Sequence, residues 1–224
     1  MGLFNLLSRV KRRAAEEISQ YRNFTAEPSE KGSSLFPTTL NLMVTDSCNS
    51  RCVMCNVWNK QQKKEFTHVE LAEILKDPLF DKVKHIGVSG GEPTIRKDLP
   101  DIFRVITSKK GIRGVSLITN ALMADVVISQ IERCCRVCKE ARVPFSAMIS
   151  LDGIGRVHDL VRGRNGSFES ALKVIRYVRD KTYIPLSVAC TVVKENVWHL
   201  DEVLDFCHEE KVYGRFRIAE FINR

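Results

Sequence analysis

The stretch Val83-Lys84-His85-Ile86-Gly87-Val88-Ser89 runs without a break into Gly90-Gly91-Glu92-Pro93. Its first seven residues are rich in apolar and β-branched side chains, and the turn residues behind them end the run, which predicts a strand over 83–89. Gly90 and Gly91 carry no Cβ, so the backbone there is free to come close to a ligand. Similar runs predict strands upstream at Leu40–Thr45 and downstream at Gly114–Thr119, Pro144–Leu151, Pro185–Val192 and Val212–Glu220. Helical patterns fill the gaps: 68–76 behind a capping box of Thr67 and Glu70, then 98–109, 124–142, 168–181, and 197–210 behind Asn196. Strands alternating with helices imply parallel pairing through helical crossovers. Six such units give a partial TIM-like (β/α)6 barrel, three-quarters closed, or an open doubly wound sheet.

A chain of 224 residues with 44% hydrophobic and 28% charged side chains builds one buried core, and global disorder is excluded. No apolar run approaches the roughly 18 residues needed to cross a bilayer. At the N-terminus, MGLFNLLSRV places its charges after the apolar stretch and offers no cleavage site, which argues against a secretory signal. Leu6 breaks the acylation pattern that Gly2 would need. Residues 1–37 divide from a core domain over 38–224. Leu3, Leu6, Leu7, Val10, Ala14, Ile18 and Tyr21 fall near helical spacing and predict an amphipathic helix over 3–21. Packing on the outside of the barrel is the first reading of that helix and membrane-surface contact the second. Residues 26–38 are a linker by composition. The net charge of +8 gathers in Lys11, Arg12 and Arg13 and in Lys60, Lys63 and Lys64, which read as solvated faces; nucleic acid is not an expected partner.

Cys48, Cys52 and Cys55 stand at C-x3-C-x2-C spacing. A cubane iron–sulfur cluster has four irons, normally held by four thiolates, so three cysteines leave one iron open to a ligand that is not protein. The competing reading is a zinc knuckle completed by a residue such as His68. Zinc explains none of the other polar motifs at the ends of the expected strands. Cys48 follows the first strand, Gly90–Pro93 the second and Asn120 the third, while Ser150-Leu151-Asp152-Gly153 ends the fourth. Folds of βα units place their sites at that rim. Cys134 and Cys138 share a helix face with Val127 and Ile131, so they and Cys135 read as core, as do Cys190 and Cys207. Eight cysteines without a secretory signal point to metal or core use in the cytoplasm, not to disulfides.

On these motifs the sequence resembles the radical S-adenosylmethionine (radical SAM) superfamily over roughly residues 38–220. The resemblance implies a [4Fe-4S] cluster held by Cys48, Cys52 and Cys55, whose open iron chelates the amino and carboxylate groups of SAM. Gly90, Gly91, Glu92 and Pro93 are then expected to bond the SAM amino group chiefly through main-chain atoms. Residues 150–168, SLDGIGRVHDLVRGRNGSF, resemble the subgroup that modifies peptides and proteins, many of whose members carry a SPASM or twitch extension. That likeness assigns Ser150 to SAM, Asp152 to ribose hydroxyls, Arg162 to the methionine carboxylate through its guanidinium fork, and the Val193 backbone to adenine. Asn120 joins the same set, and His158 and Asp159 read as a local structural network.

There is one departure. Met54 stands where relatives usually carry an aromatic residue, although its thioether is able to pack on a ring face, and Trp58 is near in sequence. The implied activity is reductive cleavage of SAM to a 5′-deoxyadenosyl radical that abstracts hydrogen from a peptide or protein. An electron donor such as a flavodoxin or ferredoxin would start it. A small-molecule radical SAM enzyme of cofactor or lipid biosynthesis is the alternative, as is a non-catalytic iron–sulfur or metal-binding module. Only Phe221–Arg224 follow the sixth strand, so that edge is expected to be covered by another chain or a further segment.

Overall fold

The computed structural model describes residues 36–59 and 64–219; the helix expected over 3–21 and most of the linker lie outside them. Six strands form one parallel sheet: β1 (Thr39–Met43), β2 (His85–Ser89), β3 (Gly114–Thr119), β4 (Phe145–Ser150), β5 (Leu186–Val192) and β6 (Tyr213–Ile218). The strands lie side by side in chain order, β1-β2-β3-β4-β5-β6. A doubly wound sheet reverses its strand order at a switch point. This one never reverses, so the fold is the partial TIM-like barrel.

The helices are α1 (His68–Ile74), α2 (Leu99–Ser108), α3 (Ala124–Glu140), α4 (Arg156–Arg162), α5 (Ser167–Lys181) and α6 (Leu200–Glu209). The expected capping box opens α1: the Glu70 amide donates to Thr67 Oγ1 at 3.1 Å and the Thr67 amide to Glu70 Oε2 at 2.8 Å. Strand alternation then sorts the side chains. Ile86, Val88, Leu117, Ile149 and Val188 turn outward and are sealed by Leu99, Ile102 and Phe103 of α2, Ile131 and Cys134 of α3, and Val174 and Ile175 of α5. Phe103 meets the Phe145 ring edge-on, with centroids 5.4 Å apart. Asn41, Gly87, Ser116 and Ser146 stand in one row across the opposite, concave face. Small and polar side chains there leave room that a closed barrel fills with bulky residues.

Helix α4 is an element that the strand and helix patterns of the sequence do not predict. Gly155, at φ 53°, precedes it and Gly163, left-handed at φ 62°, ends it. A helix of seven residues is too short for its periodicity to stand out. Its position is what brings Arg162 to the site. A second correction concerns Asn196, which makes no side-chain cap to the helix that follows it.

Candidate functional site: a thiol cavity at the strand C-termini

The loop carrying Cys48, Cys52 and Cys55 leaves β1 and is clamped from two sides. On the β2 side, the Gly91 amide donates to the Thr45 carbonyl at 2.7 Å and the Glu92 amide to the Ser47 carbonyl at 2.8 Å. A Cβ on Gly91 would sit 2.2 Å from Ser47 O, and one on Gly90, at φ +139°, 2.4 Å from Thr45 O. The glycine pair is therefore required by the close approach of the cysteine loop itself. On the α4 side, the Arg51 amide and Ser50 Oγ both donate to the Arg162 carbonyl at 3.0 Å, and the Val53 amide donates to the Val161 carbonyl at 2.9 Å. The loop thus supplies the partners that the last carbonyls of a helix lack.

Held this way, the three cysteines face one cavity of about 800 Å³, together with Gly90, Gly91, Glu92, Asn120, Ser150 and Arg162. Cys52 is buried, Cys48 half-buried and Cys55 exposed. Asn120 Nδ2 lies 3.7 Å from Cys48 Sγ, and Arg162 Nη1 lies 3.6 Å from Cys52 Sγ. Burial pushes the Cys48 thiol up from its ordinary range, and neighbouring thiols and Glu92 add to that. Met54 is also on the cavity wall. Trp58 instead carries the Arg51 guanidinium 5.0 Å from its ring centroid. Among the described residues no three His, Cys, Asp or Glu side chains close on a single metal ion, and His68 is not on the cavity wall.

The Glu92 carboxylate is buried and fully hydrogen-bonded. It accepts from the Thr94 amide and hydroxyl at 3.1 and 2.5 Å, from the Thr119 hydroxyl at 2.7 Å and from the Asn120 amide at 2.7 Å. It therefore ties the end of β2 to the end of β3 beside the cavity wall. Burial raises its carboxyl above the usual range, against the pull of these donors. Pro93 is buried at the start of a single 3₁₀ turn, away from the cavity.

Asp152 is fully buried beneath Arg162. Its Oδ2 lies 2.7 Å from Arg162 Nη2, and its Oδ1 accepts from the Thr191 amide at 2.7 Å. Burial pushes the Asp152 carboxyl up, and the Arg162 guanidinium and the Thr191 amide draw it back. Both oxygens are engaged inside the protein, so Asp152 is an anchor for Arg162 and does not reach the cavity as a ribose acceptor would. Val193 is not brought to the cavity either. Its amide donates to Asn196 Oδ1 at 2.8 Å, and its carbonyl accepts from the Asn196 and Val197 amides. Thr191, two residues earlier, lines the wall instead.

The network expected around His158 and Asp159 is present. His158 Nδ1 accepts from the Asp152 amide at 3.0 Å, which leaves the ring proton on Nε2. Asp159 receives the Gly166 and Phe168 amides and the Ser167 hydroxyl, capping α5. Cys134, Cys138, Cys190 and Cys207 are buried and Cys135 partly so. Burial pushes Cys138 and Cys190 up to about 12, which keeps them protonated.

Sequence reading missed two supports. Asn196 Nδ2 donates to the carbonyls of Asp152 and Thr191 at 2.8 and 3.0 Å. Arg96 donates to the Val44 carbonyl at 2.5 Å and the Phe66 carbonyl at 3.0 Å while paired with Asp98, fixing the entry to the cysteine loop. In sequence this arginine stands in the charged run Arg96-Lys97-Asp98, which offers no local signal of its burial.

The sequence profile of the Radical SAM superfamily matches residues 42–207, and the chain belongs to that superfamily. Among curated relatives, the Fe-coproporphyrin III synthase of Methanosarcina barkeri is 31% identical over 174 residues, covering 75% of this chain and 40% of that protein. A probable GTP 3′,8-cyclase of Methanococcus maripaludis is 28% identical over 186 residues, covering 82% of this chain and 59% of that one. The chain spans roughly half the length of these relatives. Among solved structures, Streptococcus suis SuiB bound to S-adenosylmethionine superposes with a TM-score of 0.68 at 17% identity, over 84% of this chain and 42% of that one. Native anSMEcpe with bound AdoMet gives 0.63 at 20% identity, over 82% and 52%. These likenesses show a shared fold.

The superfamily uses a [4Fe-4S] cluster and SAM. The residues present fit that pair: three thiols of the C-x3-C-x2-C loop share one cavity, and an amide and a guanidinium point at two of the sulfurs.

Proposed function

We propose that this chain is a radical SAM enzyme core acting on a small molecule. The observation that supports it best is the convergence of Cys48, Cys52 and Cys55 on a cavity walled by the Gly90–Glu92 backbone, Ser150 and Arg162. Cys48, Cys52 and Cys55 would hold the cluster, leaving one iron for SAM. Ser150 and the Arg162 guanidinium would contact SAM, with Asp152 fixing the guanidinium. When bound, the cluster and SAM together supply one-electron cleavage and hydrogen abstraction. The chain's own part is to keep the thiols on one face, orient SAM and give the substrate a wall to bind.

The resemblance of residues 150–168 to the SPASM/twitch subgroup favoured a peptide or protein substrate. The relatives' names favour the small-molecule alternative, because they are those of a GTP cyclase and a coproporphyrin synthase. That a SuiB structure contains a precursor peptide bears on the fold alone at 15% identity. An electron donor such as a flavodoxin or ferredoxin, and the reducing cytoplasm, complete the reading. The test is anaerobic reconstitution with iron and sulfide, then incubation with dithionite and SAM. Release of 5′-deoxyadenosine above a protein-free control is the expected result, and its absence from cluster-loaded protein would overturn the proposal.

A further inference from the structure

The cavity has a second charged wall that the roles above leave unused. Strand β6 pairs with β5 so that Arg215 lies beside Ala189 and Arg217 beside Thr191. A Cβ on Gly214 would meet Cys207 Sγ of α6 at 3.0 Å, so that side of β6 faces the helices. Alternation turns Tyr213, Arg215 and Arg217 onto the concave face. Both arginines line the same cavity as the three thiols.

Neither guanidinium has a carboxylate partner among the described residues. The other charged groups on the wall are already matched. Glu92 is filled by its donors from Thr94, Thr119 and Asn120, and Arg162 is paired with Asp152. The unmatched charge facing the cavity is therefore positive. Arg215 and Arg217 stand about 6.6 Å apart along the strand, two residues on one face. At that separation two cations repel, and a ligand with two anionic groups relieves the repulsion while filling both forks. Arg215 also lies 5.8 Å from the Tyr213 ring centroid, which restricts where its fork points.

We propose that Arg215 and Arg217 form the substrate-anion subsite of the cavity, and that the substrate is a small molecule carrying at least two phosphate or carboxylate groups. This rests on the small-molecule reading above. The anionic end sits on β6, and the rest of the molecule extends across the concave face toward the Cys48–Cys55 loop.

The test uses the reconstituted full chain and two probes, inorganic tripolyphosphate and propane-1,2,3-tricarboxylate, titrated by anaerobic calorimetry. The variants are R215Q/R217Q and, as a control with the same change in net charge, R133Q/R136Q on the exposed side of α3. One probe, phosphate or carboxylate, should bind the wild type at least tenfold more tightly than it binds R215Q/R217Q, while R133Q/R136Q keeps wild-type affinity. The probe that binds names the anion. No binding of either probe to wild type, equal binding by all three proteins, or equal losses in both variants would overturn the subsite. Iron, sulfide and SAM binding are measured on the same samples. Their loss in wild type would sink the enzyme reading without altering the anion result.

Discussion

Arg162 Nη2 lies 2.7 Å from Asp152 Oδ2 with both side chains almost wholly buried, and Nη1 of the same guanidinium lies 3.6 Å from Cys52 Sγ. One ion pair therefore joins the end of β4 to the cysteine loop through the last residue of α4. D152A leaves the arginine charge buried without its partner, a change expected to cost about 3–5 kcal/mol. Urea denaturation should show this loss, and D152A combined with R162M should be less destabilised than the sum of the two single changes. A loss under about 1 kcal/mol for D152A would show that the pair does not anchor the site.

The two sets of cysteines should separate cleanly. Changing Cys48, Cys52 and Cys55 to Ala is expected to abolish the iron–sulfur chromophore after anaerobic reconstitution. Changing Cys134 and Cys138 to Ala opens space in the core between α3 and its neighbours, costing on the order of 1 kcal/mol each. Iron and sulfide per chain should stay at the wild-type level in that variant. A fall by half would reveal a second cluster.

G91A should lower cluster retention where G87A does not. The new Cβ at Gly91 meets the Ser47 carbonyl at 2.2 Å, and backbone must move. At Gly87 it meets Asn41 Oδ1 at 3.2 Å and Ser116 Oγ at 3.4 Å, side-chain atoms that are able to give way. Iron content after gel filtration measures the difference, and equal retention would disconnect the glycine from the loop.

His158 should shape the acid limb of stability. Burial first, and then the Arg162 charge, push its imidazole down to about 3 from an ordinary value near 6.5. Above that ordinary value the ring is neutral in both folded and unfolded chains, and its contribution is complete. As pH falls toward 3 the unfolded chain binds a proton that the native one refuses, so stability is lost. Replacing His158 by Gln should flatten the slope between pH 6 and pH 4 by up to about 1.4 kcal/mol per pH unit. An unchanged slope in urea titrations would mean that the ring is protonated in the native protein.

Much of this protein was legible in one dimension. The run through Val88 into Gly90-Gly91 marks a strand end because alternation and turn residues are local properties, and the spacing of Cys48, Cys52 and Cys55 is equally local. Parallel pairing followed from strands alternating with helices, and the observed order bears it out. The buried state of Cys134 and Cys138 followed from their sharing a face with Ile131.

Tertiary structure alone decided what those pieces do to one another. Asp152, expected to face a ligand, is turned inward by Arg162 and the Thr191 amide, ten and thirty-nine residues along the chain. Asn196, expected to cap a helix, bonds the carbonyls of Asp152 and Thr191 instead. Gly91 is needed because Ser47 approaches it, and Arg215 and Arg217 meet the thiol cavity because β6 falls into register with β5. The physical reason is common to all four. A sequence states its periodicity and its breaks within a few residues, whereas a polar side chain bonds whichever group the register of distant strands brings within about 3 Å.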